Sequence, residues 1–163
     1  MILKGLIFED FLQYKKPSMF IIFPHCSFKC DKEFGVNICQ NWSLSKEPNI
    51  DVQIETIVKS YLNNPITHAI VCGGLEPFDS WNELLELIRE FRQVTEDDIV
   101  IYTGYREDEI EDKIMILKHD NISNIIIKFG RYKPNETPHY DQVLGVYLAS
   151  DNQYAIKFNN IIQ

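Results

Sequence analysis

The sequence predicts an α/β fold built on a mainly parallel sheet. Short β-type apolar runs alternate with longer segments of helical period along most of the 163 residues. The helical segments carry apolar residues three and four apart, which marks faces made to cover a sheet. Hydrophobic residues at 45% and charged residues at 25% are ordinary globular usage, so neither disorder nor a fibrous repeat is expected. The length suits one domain over residues 1–163, with no linker or low-complexity tract to divide it.

Residues 1–14 are expected to add a strand or hairpin beside the main sheet. Met19 to Phe23 reads as the first buried strand, and a cysteine loop follows it directly. A helix is expected from near Asp51, with Ile54, Ile57, Val58, Tyr61 and Leu62 on one face. Ala69 to Val71 forms the second strand and runs into Cys72-Gly73-Gly74-Leu75-Glu76-Pro77. Ser80 and Glu83 have the spacing of a capping box, opening a helix whose inward face is Trp81, Leu84, Leu85, Ile88 and Phe91. Ile99 to Tyr102 is the third strand and Thr103-Gly104 a turn. Arg106 to Lys118 then reads as a helix with acidic residues in its first turn, where the helix dipole favours them. Ile125 to Ile127 is the fourth strand. After Gly130 the pattern weakens into a loop, with one more short strand expected at Tyr154 to Lys157.

The net charge of -8, with basic residues scattered apart from Lys15-Lys16, offers no stripe for phosphates and argues against a nucleic-acid partner. The longest apolar runs fall far short of the roughly 20 residues that span a bilayer. The N-terminus meets Glu9-Asp10 before any leader-like apolar region, so a cytoplasmic protein without a membrane partner is expected.

In parallel α/β folds the loops after the strand C-termini gather at one end of the sheet, where ligands bind. The cysteine loop, the Gly-Gly turn and Tyr102-Thr103-Gly104-Tyr105 should therefore meet in one site of thiols, backbone amides and small hydroxyls. Cys26, Cys30 and Cys39 lie within fourteen residues and Cys72 stands apart. In a reducing compartment these are not a disulfide framework. Three thiolates suit an iron-sulfur cluster or zinc, and they leave a coordination position open, as a reactive site requires. Closed zinc would need His25 or Cys72 as a fourth ligand, and plain buried cysteines are a third reading. On the residues alone all three stay open.

Phe23-Pro24-His25-Cys26-Ser27-Phe28-Lys29-Cys30, ending at Cys39-Gln40-Asn41, resembles the cluster motif of radical S-adenosylmethionine enzymes, especially the activating protein of anaerobic ribonucleotide reductase. In the same order, Cys72-Gly73-Gly74-Leu75-Glu76-Pro77-Phe78 resembles the Gly-Gly-Glu-Pro motif. Tyr102-Thr103-Gly104-Tyr105 and Phe129-Gly130-Arg131-Tyr132 are similar to later family motifs, and Ala149-Ser150-Asp151-Asn152-Gln153 to its closing Ser-Ser-Asn-Gln. The similarity spans residues 18 to 157. It implies a partial (β/α) barrel in which Cys26, Cys30 and Cys39 hold a [4Fe-4S] cluster and S-adenosylmethionine chelates the remaining iron. Its reductive cleavage would give a 5'-deoxyadenosyl radical.

By the same resemblance the backbone at Gly73 and Gly74 receives the methionine amino group and Glu76 strengthens that pocket. Thr103 meets the carboxylate or ribose, Ile38 lies beside the adenine, and Lys128 adds a polar contact. Phe28, Tyr105 and Tyr132 can shield the cluster or simply pack. The implied partners are a glycyl-radical enzyme, foremost anaerobic ribonucleotide reductase, and a flavodoxin-like or other low-potential electron donor. A chain with little added domain suits a partner that completes the site. An autonomous small-molecule enzyme of the deazaguanine-forming type, and a non-catalytic metal-binding or interaction domain, are the alternatives.

Three departures stand out. Eight residues, Asp31 to Ile38, separate Cys30 from Cys39 where the family usually has two. Loop entropy tolerates this, since each doubling of length costs about 0.6 kcal/mol, and the insertion is expected to shape a lid or partner contact. Leu75 separates Gly74 from Glu76, and Phe129 replaces an acidic residue.

Overall fold

The computed structural model describes residues 1–158; the single-domain expectation runs on to residue 163, and 159–163 lie outside the described residues. In chain order the strands are β1 (Ile2–Leu3), β2 (Gly5–Asp10), β3 (Ser18–Phe23), β4 (Ile50–Asp51), β5 (Ala69–Gly74), β6 (Asp98–Tyr102), β7 (Ile125–Phe129), β8 (His139–Asp141), β9 (Val146–Leu148) and β10 (Tyr154–Phe158). The helices are α1 (Lys29–Phe34), α2 (Trp42–Ser45), α3 (Ile54–Leu62), α4 (Trp81–Arg92) and α5 (Glu111–His119).

Six strands form one sheet in the order β10-β7-β6-β5-β3-β2. The inner four are parallel, as the alternating pattern predicts, while β2 and β10 close the two edges antiparallel. The described residues form no closed barrel. Pairing of Phe23 with Gly74, and of Tyr102 with Lys128, brings the parallel strands to an end at nearly one level. Their following loops therefore open onto a common space.

Strand side chains alternate between two different faces. Met19, Ile21, Phe23, Ile70, Cys72, Ile99, Ile101, Ile125 and Ile127 point to the helices and join Ile57, Leu84, Leu87, Ile88, Phe91, Ile114 and Leu117 in the main core. On α4 alone, Leu84, Leu87, Ile88 and Phe91 are at most 1% exposed. Each such side chain contributes about 1.5–3 kcal/mol by leaving water. The opposite face carries Ala69, Val71, Val100 and Ile126 under a smaller cover of Tyr14, Leu144 and Leu148. No described helix is long and apolar enough to cross a membrane.

Several local expectations need correction. Ser80 makes no side-chain cap and its buried Oγ has no partner among the described residues. A turn of 3-10 helix over Pro77–Ser80 leads directly into α4, and Glu76 caps that turn instead by accepting the Phe78 amide. α3 starts at Ile54 because Ile50–Asp51 pairs with Ile2–Leu3, and Leu62 is 52% exposed at its end. Trp81 and Leu85 are only partly buried against the core. The expected helix from Arg106 is a 3-10 turn, Glu107–Glu109, followed by α5. Within 131–153 lies the β8–β9 hairpin, which the weak periodicity there conceals. Residues 1–14 supply the expected edge strand, β2.

Candidate metal and cofactor site

A cavity of about 400 Å³ lies at the C-terminal ends of β3, β5, β6 and β7. Cys26, Cys30, Cys39, Gly73, Gly74, Glu76, Thr103 and Lys128 all line it. Ile38 does not; its neighbours Cys39, Gln40 and Asn41 do. A larger cavity of about 630 Å³, lined by Ile114, Met115, Phe129 and Tyr154, contains none of these residues.

The floor is built by backbone geometry and one carboxylate. Gly74 has φ +86°, and a Cβ there would lie 2.4 Å from Ile22 Cγ2, so only glycine fits this turn. Glu76, 6% exposed, joins the two central loops. Its Oε1 accepts from Thr103 Oγ1 at 2.8 Å and the Phe78 amide at 3.2 Å, and its Oε2 accepts from the Gly104 amide at 2.9 Å. Burial pushes the Glu76 carboxyl up to about 7 against the pull of these three donors. Leu75 therefore does not turn the carboxylate away from the site. It is buried, and the Glu76 amide bonds the His25 carbonyl at 2.7 Å.

Thr103 takes part through both ends: its amide donates to the Lys128 carbonyl, and its Oγ1 accepts from the Tyr105 amide. Lys128 is 7% exposed, and its Nζ donates to the Gly130 carbonyl at 3.0 Å. Burial lowers its ammonium to about 8, with Glu76 and Cys30 opposing. Two of the three ammonium hydrogens have no acceptor among the described residues, so Lys128 can meet an anionic group.

The rim is the cysteine loop. The Phe28 amide donates to the Cys26 sulfur at 3.3 Å. Burial pushes all three thiols up, Cys26 to about 12 against the pull of the Phe28 amide. The free thiols thus hold their protons at neutral pH, and a cationic centre must expel them on binding.

Three soft sulfurs around one cavity match what an iron-sulfur cluster needs from its protein. Among the described residues no group of three or more His, Cys, Asp or Glu is gathered to hold a single metal ion. Neither fourth ligand considered for zinc lines the cavity: His25 is exposed, and Cys72, fully buried, faces the helices.

Other residues shape the site without having been assigned a role from sequence. Asp79 accepts from the Ser27 amide at 2.6 Å and from the Tyr105 hydroxyl. Asn41 Nδ2 donates to the Gly74 carbonyl at 2.6 Å. Arg131 forms two parallel bonds to Glu109, at 2.7 and 2.8 Å. Its Nε lies 3.1 Å from Glu33 Oε2 but off the N–H axis, so that contact is an ion pair rather than a hydrogen bond. Motif position was the only signal for Asn41 and Arg131, and nothing in the pattern marked Asp79.

A family model described as a 4Fe-4S single cluster domain matches residues 18–147. No curated protein and no solved structure matches the chain. The matched region starts with β3, takes in all three rim cysteines and reaches β9, and by it the chain belongs to the 4Fe-4S single cluster domain family.

Proposed function

We propose that this chain works as a single radical S-adenosylmethionine domain, its parallel strands forming that family's partial barrel, and activates a glycyl-radical enzyme such as anaerobic ribonucleotide reductase. One observation carries the reading: the three thiols share a cavity with the Gly73-Gly74 turn, Glu76, Thr103 and Lys128. That set provides soft ligands for a cluster and, beside them, acceptors and donors for an amino acid moiety. The cluster, when bound, supplies the electron that splits S-adenosylmethionine into methionine and a 5'-deoxyadenosyl radical.

The chain's own residues would then act by positioning. Cys26, Cys30 and Cys39 hold the cluster. The strand-end carbonyls at Gly73 and Gly74, backed by the Glu76 carboxylate, accept from the methionine ammonium. Lys128 Nζ offers its spare donors to the carboxylate. Phe20, Ile22 and Tyr102 line the inner wall and limit water. The radical so supplied would take a hydrogen atom from a glycine of the partner, giving 5'-deoxyadenosine and a glycyl radical. Tyr147 lines the same cavity and is 75% exposed, so the mouth can receive a protein segment. A flavodoxin-like protein is the proposed electron donor.

The test is anaerobic reconstitution with iron and sulfide, reduction in the presence of S-adenosylmethionine, and quantitation of 5'-deoxyadenosine. Formation that depends on Cys39, with Cys39→Ala inactive, is the expected result. A stable cluster that yields no 5'-deoxyadenosine with either a chemical or a protein reductant would refute the proposal.

A further inference from the structure

The long excursion between Cys30 and Cys39 is closed by one side chain. Asp31 Oδ1 accepts both the Ile38 amide and the Cys39 amide, each at 2.8 Å. The Asp31 carbonyl also accepts the Gly35 amide at 2.8 Å, ending α1 with a left-handed glycine at φ +71°. Every hydrogen bond made by residues 35–38 among the described residues ends on Asp31. Burial offers no substitute, because residues 32–37 are exposed, Phe34 by 39% and Val36 by 62%.

The first half of the excursion is held separately. Glu33 on α1 reaches Arg131 at 3.1 Å, and Lys29 lies 3.4 Å from Glu109 and over the Tyr105 ring. α1 is thus fastened to the loops after β6 and β7, while the return to Cys39 depends on Asp31. Two charge-assisted bonds to consecutive amides fix both position and direction of that backbone.

We infer that Asp31 is a positioning residue that clasps the inserted segment and delivers Cys39 to the cluster. This rests on Cys39 being a cluster ligand. The clasp lets a separation of eight residues present the third sulfur as a short loop does, and it makes the insertion part of the ligand loop rather than a lid.

The test compares wild type, Asp31→Ala and Asp31→Asn after anaerobic reconstitution with iron and sulfide. Iodoacetamide labelling at each cysteine is read by peptide mass spectrometry, with iron per chain and cluster midpoint potential alongside. In Asp31→Ala, Cys39 should label at least about tenfold faster than in wild type, and iron content should fall. Asp31→Asn keeps an acceptor oxygen, so it should keep Cys39 protected. Its midpoint should rise, because a negative charge beside the ligand is removed.

Wild-type protection of Cys39 in Asp31→Ala overturns the inference, as does an Asp31→Asn protein that loses protection as fully as Asp31→Ala. An Asp31→Ala protein that no longer unfolds cooperatively places Asp31 in the fold instead, and overturns it too. Unprotected Cys39 in the wild type, with Cys26 and Cys30 protected, overturns the ligand assignment itself and is distinguishable from all of these.

Discussion

The floor and the rim of the cavity are held by different means. On the floor, Glu76, Thr103 and Lys128 are each at most 7% exposed, sit at or just beyond strand ends, and are tied by hydrogen bonds that strand register sets up. On the rim, Cys26, Cys30 and Cys39 are half-buried and are held by side-chain contacts outside the sheet: Asp79 to Ser27, Glu33 and Lys29 of α1 to Arg131 and Glu109, Asn41 to Gly74, and Asp31 to Ile38 and Cys39. The floor is therefore preformed by strand register, whereas the rim is held by side-chain bonds made outside the sheet, to which a bound cluster would add.

Glu76→Ala tests this contrast most severely. It leaves the Thr103 hydroxyl and two amides without their acceptor in a buried place, so urea denaturation of the metal-free protein should show a loss of about 4 kcal/mol. A loss below about 1 kcal/mol would mean the floor is not preformed. Gly74→Ala should cost about 3 kcal/mol, from the left-handed backbone and the clash with Ile22. Gly73→Ala should cost less, about 1 kcal/mol, because its nearest neighbour is the end of the Phe20 ring, which can swing aside.

Titration separates the floor from the far end of the sheet. At Asp98, at the start of β6, burial alone raises the carboxyl, but bonds from Lys157, Lys16 and Tyr14 outweigh it and hold the group at about 2. A depressed carboxyl stabilises the fold above its ordinary 3.8. That stability, up to about 2 kcal/mol, is lost as pH falls toward 2, and Asp98→Asn should flatten the acid limb. Glu76 has the opposite sign. Its raised carboxyl binds a proton more tightly in the folded state between 4.5 and about 7, so stability falls as pH rises through that window. Glu76→Gln should remove this slope in denaturation midpoints.

The smallest effect belongs to the rim. Asn41→Ala removes one exposed hydrogen bond and should change metal-free stability by no more than about 0.5 kcal/mol. A larger loss would show that the rim shares the floor's rigidity.

The same contrast explains what the sequence made legible. β5, β6 and β7 are buried on both faces and β3 largely so, all four read as continuous apolar runs, and parallel topology alone then brought their loops together. All the expected site residues sit on those loops or strand ends, and all but Ile38 line the cavity. The insertion was opaque because α1 buries no residue and so leaves no periodic stripe, and Asp31 bonds amides seven and eight positions on. The β1–β4 ladder has two residues in each strand, too few for a pattern. Ser80 carried a true capping signal, but a preceding 3-10 turn overrode it.

The proposed function requires one cavity to hold both the cluster and S-adenosylmethionine. The most direct measurement is the electron paramagnetic resonance spectrum of the reduced, reconstituted protein before and after S-adenosylmethionine is added. A clear change in the cluster signal is expected, because the three cysteines and the Gly73-Gly74 turn line the same cavity. An intact cluster whose spectrum is unmoved at saturating S-adenosylmethionine would contradict it.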